Sequence, residues 1–273
     1  MDKITKALDI ARTQRTQGKN KHTNNDDVQI DLEMPRLQEQ YEHHYSVPKF
    51  TPDALTLEKH RILNNASRDE IVQPYKVLRT RLMHIMQEKH WSSIAVLSPT
   101  KDDGKTTVAI NLAISIGNSR KNNAVLLDLD LLTPSIYSCY GFEPEYGLED
   151  YFEHEQTLSD ILISPDADGL IIAPSIRPLH DSSEYLSTSR GQSLINEAKG
   201  LLENSIVVVD LPPILASDDA ISFLPHIDAV LLIVREGKTN KQDIQRALEM
   251  LEGVNIAGVV INDSLEPATL GYY

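Results

Sequence analysis

Along most of the chain, short continuous runs of Val, Ile and Leu alternate with longer stretches whose apolar residues recur every three or four positions. The short runs fall at 93–98, 124–130, 169–174, 205–212, 229–236 and 256–262. Apolar runs of this length suit strands buried on both faces. The stretches between them, at 104–118, about 133–140, 148–163, 183–202, 217–224 and 239–252, read as helices. Strands alternating with helices predict parallel crossover units, and so an α/β fold: a doubly wound, mostly parallel sheet with helices on both faces. Ligands of such sheets bind beyond the carboxyl ends of the strands. The polar residues of this chain gather there.

The pattern is different upstream. Ile4, Ala7, Leu8 and Ala11 recur at helical spacing with Lys3, Lys6, Arg12 and Arg15 around the turn, which predicts an amphipathic helix over residues 1–16. Its basic face reads as a solvated one, with an anionic membrane or the tail of a membrane partner as the other reading. Residues 17–67 are polar and aperiodic and are expected to form a partly disordered linker. Within it, Glu42, His43 and His44 lack the second ligand cluster that a metal site needs. From Arg68 to His90, Leu78, Leu82, Ile85 and Met86 mark a helix, with Pro74 placed for its start. The main domain is expected at 68–265, and residues 266–273 form a tail ending Gly271-Tyr272-Tyr273.

Composition narrows the function. A net charge of −14 argues against a nucleic-acid partner, since phosphate backbones are held by clustered Lys and Arg. One cysteine, Cys139, excludes an internal disulfide and any multi-thiolate metal site, and it reads as a small apolar filler. The first residues lack the apolar stretch of a secretory signal, so the cytoplasm is the expected compartment.

The chemistry lies in "SPTKDDGKTTVAINLA", Ser98 to Ala113, where a predicted strand runs through a loop and Gly104-Lys105-Thr106 into a predicted helix. That context makes a phosphate site: backbone N–H groups face the phosphates, Lys105 reaches the terminal ones, and Thr106 ligates Mg2+. Pro99 stands where the usual GxxxxGK[ST] spacing has its first glycine. Asp128 and Asp130 end the next strand as "LLDLD", and Asp210 ends a later one as "VVVDLPP". One or two such carboxylates beside Thr106 suffice to hold Mg2+ against a triphosphate. Helix capping and strand termination are the plainer readings of these acids. Arg235 and Asn262 end strands at the same edge and are candidate contacts to the nucleotide, with capping and turn roles equally open.

Together the loop, "LLDLDLLTPS" and "VVVDLPP" resemble the bacterial tyrosine kinases of capsule and exopolysaccharide export, a P-loop NTPase branch related to the partitioning ATPases. The likeness continues through "GLEDYFEHEQTLSDIL", "HDSSEYLSTSRGQSLI", "DAVLLIVREGKTNKQDIQRALEML" and "GVVINDS", covering roughly residues 68 to 273. It implies a protein tyrosine autokinase using ATP and Mg2+. Nucleotide would be held by Asp103, Gly104, Lys105, Thr106 and Thr107, together with Arg235 and Asn262. The metal would lie at Thr106, Asp128 and Asp210. The catalytic group would be Lys105, Asp128, Asp130 and Asp210, with Asp128 as base, and the acceptors Tyr272 and Tyr273. Implied partners are a membrane chain-length-determinant or activator protein, further copies of the chain, and a cognate tyrosine phosphatase, at the inner face of the plasma membrane.

The chain also departs from that pattern. Partitioning ATPases carry an extra lysine early in the loop, where this chain has Thr100, and that favours the kinase branch; the departures lie elsewhere. Lys101 and Asp102 replace a Pro-Gly pair, so Asp102→Gly is expected to tighten ATP binding by removing a like charge. Leu132 replaces a basic residue, and Gln73, Lys76 and Arg79 replace the Glu and two Arg of an oligomer-forming helix. These departures keep two alternatives in view: a nucleotide-binding regulatory scaffold without transfer activity, and a partitioning-type ATPase.

Overall fold

The six apolar runs form one sheet. The structure, a computed structural model, describes residues 47–264 except 65, 120, 155 and 166–168. The main strands are β2 (Ser93–Leu97), β3 (Asn123–Asp128), β5 (Leu170–Ala173), β6 (Ser205–Asp210), β7 (Ala229–Arg235) and β8 (Ile256–Asn262). They pair in the order β5-β3-β6-β2-β7-β8, and every pairing is parallel. A two-residue pair, β1 (Lys49–Phe50) with β4 (Ser164–Pro165), stands beside it.

Strand residues alternate between the two faces of a sheet, and here both faces are covered except along the edge strand β8, where Val259 and Ile261 stay exposed, against the two-sided burial read from its apolar run. Ala95, Leu97, Val207, Val209 and Leu232 face one core together with Leu194, Phe223 and Ala247. Ile94, Val96, Val208, Leu231 and Ile233 face the other, packed on Leu82, Met86, Leu112 and Ile116. The first cover comes from α7 (Ser182–Leu186), α8 (Ser189–Gly200), α9 (Asp219–Phe223) and α10 (Lys241–Met250). The second comes from α2 (Asp69–Lys89), α3 (Lys105–Gly117) and α4 (Ile136–Tyr140). The doubly wound fold read from the sequence is the observed one.

Three details differ from the sequence reading. Two predicted helices are each broken in two where a threonine caps a new start. Thr157 separates α5 (Leu148–Glu153) from α6 (Leu158–Ile161) and pairs with Asp160, while Thr188 separates α7 from α8 and accepts from the Arg190 amide at 3.2 Å. Helix α2 starts at Asp69, so Pro74 lies inside it rather than at its first turn. The packed unit also begins upstream of Arg68. β1 and α1 (Ala54–Lys59) precede it, and Leu57, Ile62 and Leu63 are buried in the second core. Buried Asn111 of α3 fastens this strap: its Oδ1 accepts from the Leu63 amide at 2.8 Å and its Nδ2 donates to the Arg61 carbonyl at 2.9 Å. The amphipathic helix expected over 1–16, the linker up to residue 46, and Tyr272 and Tyr273 lie outside the described residues. Among those described, no helix is long and apolar enough to cross a membrane.

Candidate nucleotide site

Parallel register brings the acids together. Asp128, the last residue of β3, pairs with Asp210, the last of β6, and Asp210 pairs with Val96 one residue before the end of β2. The loop after β2 leads into α3, whose first residue is Lys105. Apolar strand interiors thus deliver one lysine and three carboxylates to one edge.

Lys105, Asp128, Asp130 and Asp210 are all buried. The Lys105 ammonium lies 2.7 Å from Asp130 Oδ2 and 3.3 Å from Asp210 Oδ1. The Thr106 hydroxyl donates to Asp210 Oδ2 at 2.6 Å. Asp130 is fixed through its other oxygen, which accepts from the Thr133 amide at 3.2 Å and hydroxyl at 2.9 Å. Asp128 Oδ2 accepts from the amides of Ser135 and Ile136, at 3.1 and 2.9 Å, where α4 begins. Its Oδ1 is buried without a hydrogen-bond partner. Burial alone would lower the Lys105 ammonium, but Asp210 and Asp130 outweigh it and the net shift is upward. Burial, with the Asp210 charge added, pushes Asp128 up to about 8, and Asp210 is also raised, by burial. Asp128 therefore favours its protonated form near neutrality when metal and nucleotide are absent.

The same groups suit Mg2+. That ion takes oxygen ligands, prefers few from protein, and shares the rest with water and phosphate. Thr106 Oγ1, Asp210 and the unspent Oδ1 of Asp128 form such an all-oxygen set. Among the described residues no cluster of three or more His, Cys, Asp or Glu has the geometry of an all-protein metal cage. A cleft of about 380 Å³ opens beside Thr106, lined also by Gly104, Lys105, Thr107 and Asp130 among others.

Three residues expected to contact nucleotide also build the loop. Asp103 is fully buried, with Oδ2 accepting from the Thr100 amide and hydroxyl at 3.0 and 2.9 Å and Oδ1 accepting from the Thr239 hydroxyl at 3.0 Å. Its charge is spent inward, where a phosphate would be repelled. Arg235 Nη1 donates to the Asp102 carbonyl at 3.0 Å, and Asn262 Nδ2 donates to the Asp103 carbonyl at 2.9 Å. Lys238 Nζ donates to the Lys101 carbonyl. Three successive loop carbonyls are thus held from the ends of β7 and β8 and the turn between β7 and α10. Lys238 and Thr239 carry no assignment from the sequence reading; the one available signal is a cation in a turn opposite an acidic loop. Gly104, at φ +90°, is required here, because a Cβ would come within 2.0 Å of Asn262 Nδ2.

Asp102 also reads differently in place. It takes the left-handed conformation, φ 59°, that the missing glycine would have supplied. Its side chain is 88% exposed and turned to Lys238, 3.6 Å away. We therefore expect Asp102→Gly to change ATP affinity less than about threefold, because a solvated, paired charge acts weakly on the phosphates. Calorimetric titration checks this, and a tenfold tightening would restore the original expectation.

A family model described as ParA: NUBPL iron-transfer P-loop NTPase matches residues 90–267. The chain belongs to this ParA-type family of P-loop NTPases. Tyrosine-protein kinase Etk of Escherichia coli K12 is 27% identical over 206 residues, covering 75% of this chain and 28% of that protein. Tyrosine-protein kinase YwqD of Bacillus subtilis is 25% identical over 205 residues, covering 74% of this chain and 85% of that one. The chain thus spans just over a quarter of Etk, and of Ptk of Acinetobacter johnsonii, of which 28% is covered, but most of YwqD. Among solved structures, the kinase domain of E. coli Etk aligns with a TM-score of 0.66 at 26% identity, over 85% of this chain and 96% of that one. The chimerical protein CapA2B2 aligns with a TM-score of 0.67 at 21% identity, over 82% and 96%, which establishes the shared fold.

Proposed function

We propose that the chain is an ATP- and Mg2+-dependent protein tyrosine autokinase that regulates polysaccharide chain length or export with a membrane partner. The observation that carries the reading is the buried Lys105 held between Asp130 and Asp210, beside an Asp128 oxygen with no partner. The names of the relatives support tyrosine as the acceptor. In this reading Lys105 releases its carboxylates to neutralise the transferred phosphoryl group, and Thr106, Asp128 and Asp210 hold the metal. Bound there, Mg2+ supplies the charge that offsets the phosphates and keeps the buried carboxylates ionised. Asp128 takes the phenolic proton as the tyrosine oxygen bonds to the γ-phosphorus and the bond to the β-phosphate oxygen breaks. Positioning and charge do most of such work.

The rival readings are weakened at specific residues. Thr100 hydrogen-bonds Asp103, so the loop carries no partitioning-type lysine at that place. The iron-transfer part of the family description would ask for paired thiolates, and the chain has one cysteine. Asp102 leaves the loop closed, which removes one argument for an inactive scaffold. Intact-mass measurement after incubation with ATP and Mg2+ separates the three. Added phosphates support the kinase, turnover without additions an ATPase, and neither a scaffold.

For the acceptors, we expect Tyr272 and Tyr273 to be phosphorylated between molecules. Tyr140 is buried in α4 and held in place. A Lys105→Met chain mixed with a chain truncated after Gly271 gives one partner that only receives and one that only donates. Phosphate should appear on the lysine variant. If it stays unmodified while wild type labels itself, or if peptide mapping finds core tyrosines instead, the assignment fails.

A further inference from the structure

A cavity of about 530 Å³, larger than the nucleotide cleft, lies at the far end of α3. Ten residues of helix, about 15 Å, separate its wall at Ser115 from Lys105. Three parts of the chain enclose it: the strap through Leu57 and Leu63, α2 through Val72, and the end of α3 through Ile114. It exists because the strap packs where the sequence reads as linker.

Two observations say what fits it. Tyr140 is 2% exposed and lines the cavity, and its hydroxyl has no hydrogen-bond partner among the described residues. An unpaired buried hydroxyl costs about 1–3 kcal/mol, so a ligand acceptor there would be favoured. Burial pushes this phenol upward, which keeps it a neutral O–H donor. The second observation is charge. Lys76 and Arg79 line the cavity and, among the described residues, no Asp or Glu does, in a chain with 40 acidic residues against 26 Lys and Arg. Arg79 gives one N–H to the Ser115 carbonyl at 2.7 Å and has others to offer, and the exposed Lys76 ammonium has no ion-pair partner among the described residues.

We propose that this cavity binds a small soluble organic anion with an apolar body. The charged group sits at Lys76 and Arg79, the body lies against Leu57, Val72 and Ile114, and an acceptor oxygen meets the Tyr140 hydroxyl. Its volume is within the roughly 300–1,000 Å³ of ordinary small-molecule sites. None of these residues belongs to the nucleotide site, but Lys76 and Arg79 stand at the two arginine places of the oligomer-forming helix that the kinase resemblance implies, so self-association is one of the outcomes to be separated.

The test uses 4-methylumbelliferyl phosphate, which joins an anionic head, a flat apolar body and a carbonyl acceptor, with uncharged 7-methoxy-4-methylcoumarin as control. The full chain is titrated by fluorescence with saturating ADP and Mg2+ filling the nucleotide cleft. Binding of the phosphate ester should persist, and exposed Lys76→Gln should weaken it about tenfold, as expected for a lost charge-assisted contact. The same variant should leave the uncharged control unchanged, while Tyr140→Phe, which breaks no existing hydrogen bond, should weaken both. Three results overturn the proposal: complete displacement by ADP, equal affinity for the ester in wild type and Lys76→Gln, or a change of self-association in Lys76→Gln by light scattering with probe binding intact. The last would make the cavity an interface between copies of the chain.

Discussion

Lys105→Met should lower nucleotide-dependent phosphorylation at least about 100-fold, the scale of losing one group that stabilises developing charge. Methionine keeps the unbranched stem and its packing but removes the ammonium that lies 2.7 Å from Asp130 and 3.3 Å from Asp210. Asp210, already raised by burial and left without its cation, will take up a proton rather than remain as a buried charge. The variant should therefore fold, and circular dichroism should match wild type at pH 6. Intact mass after incubation with ATP and Mg2+ reads the effect. Unchanged labelling in a folded variant would remove Lys105, and with it the phosphate-loop assignment.

Long-range features were readable where one residue type does one job. Six apolar runs mark six strands, five of them because a strand buried on both faces leaves no room for alternation, as in β2, where all five residues are buried; the edge strand β8 is apolar yet partly exposed. Asp128, Asp130 and Asp210 were legible because each follows such a run. Features set by side chain to backbone bonds across the sheet edge were not. Asn262 reaches the Asp103 carbonyl across 159 positions of sequence, and that depends on the order of β7 and β8, which no local pattern encodes. Asp103 reads as a ligand-side residue from its place beside Gly104 and Lys105; only the buried bonds to Thr100 and Thr239 reveal that it also braces the loop. The strap at 49–63 was missed for another reason. Its buried residues, Leu57, Ile62 and Leu63, are too few and too irregularly spaced to show a period.

Asp128→Asn is expected to abolish transfer and, in the same molecule, to make the protein more stable at pH 8. The two effects have one cause. In protein free of metal and nucleotide, burial and Asp210 raise the folded-state value of Asp128 to about 8, while the unfolded chain has the ordinary carboxylate value, about 3.9. Between these limits the folded state binds the extra proton, so stability falls as pH rises, by up to about 1.4 kcal/mol per pH unit from this group. The contribution is fully present below about pH 4 and lost as pH passes 8. Asparagine stays neutral throughout, and its carbonyl can accept from the Ser135 and Ile136 amides as Asp128 does. Urea unfolding in EDTA at pH 5.5 and 8 should show a steeper loss for wild type than for the variant, with the raised Asp210 supplying the slope that remains. Mg2+ should narrow the gap in wild type at pH 8 by drawing the carboxylates into their ionised form. Equal slopes in the two proteins would mean that Asp128 is already ionised in the folded state, and a variant that still transfers phosphate would show that another group takes the tyrosine proton.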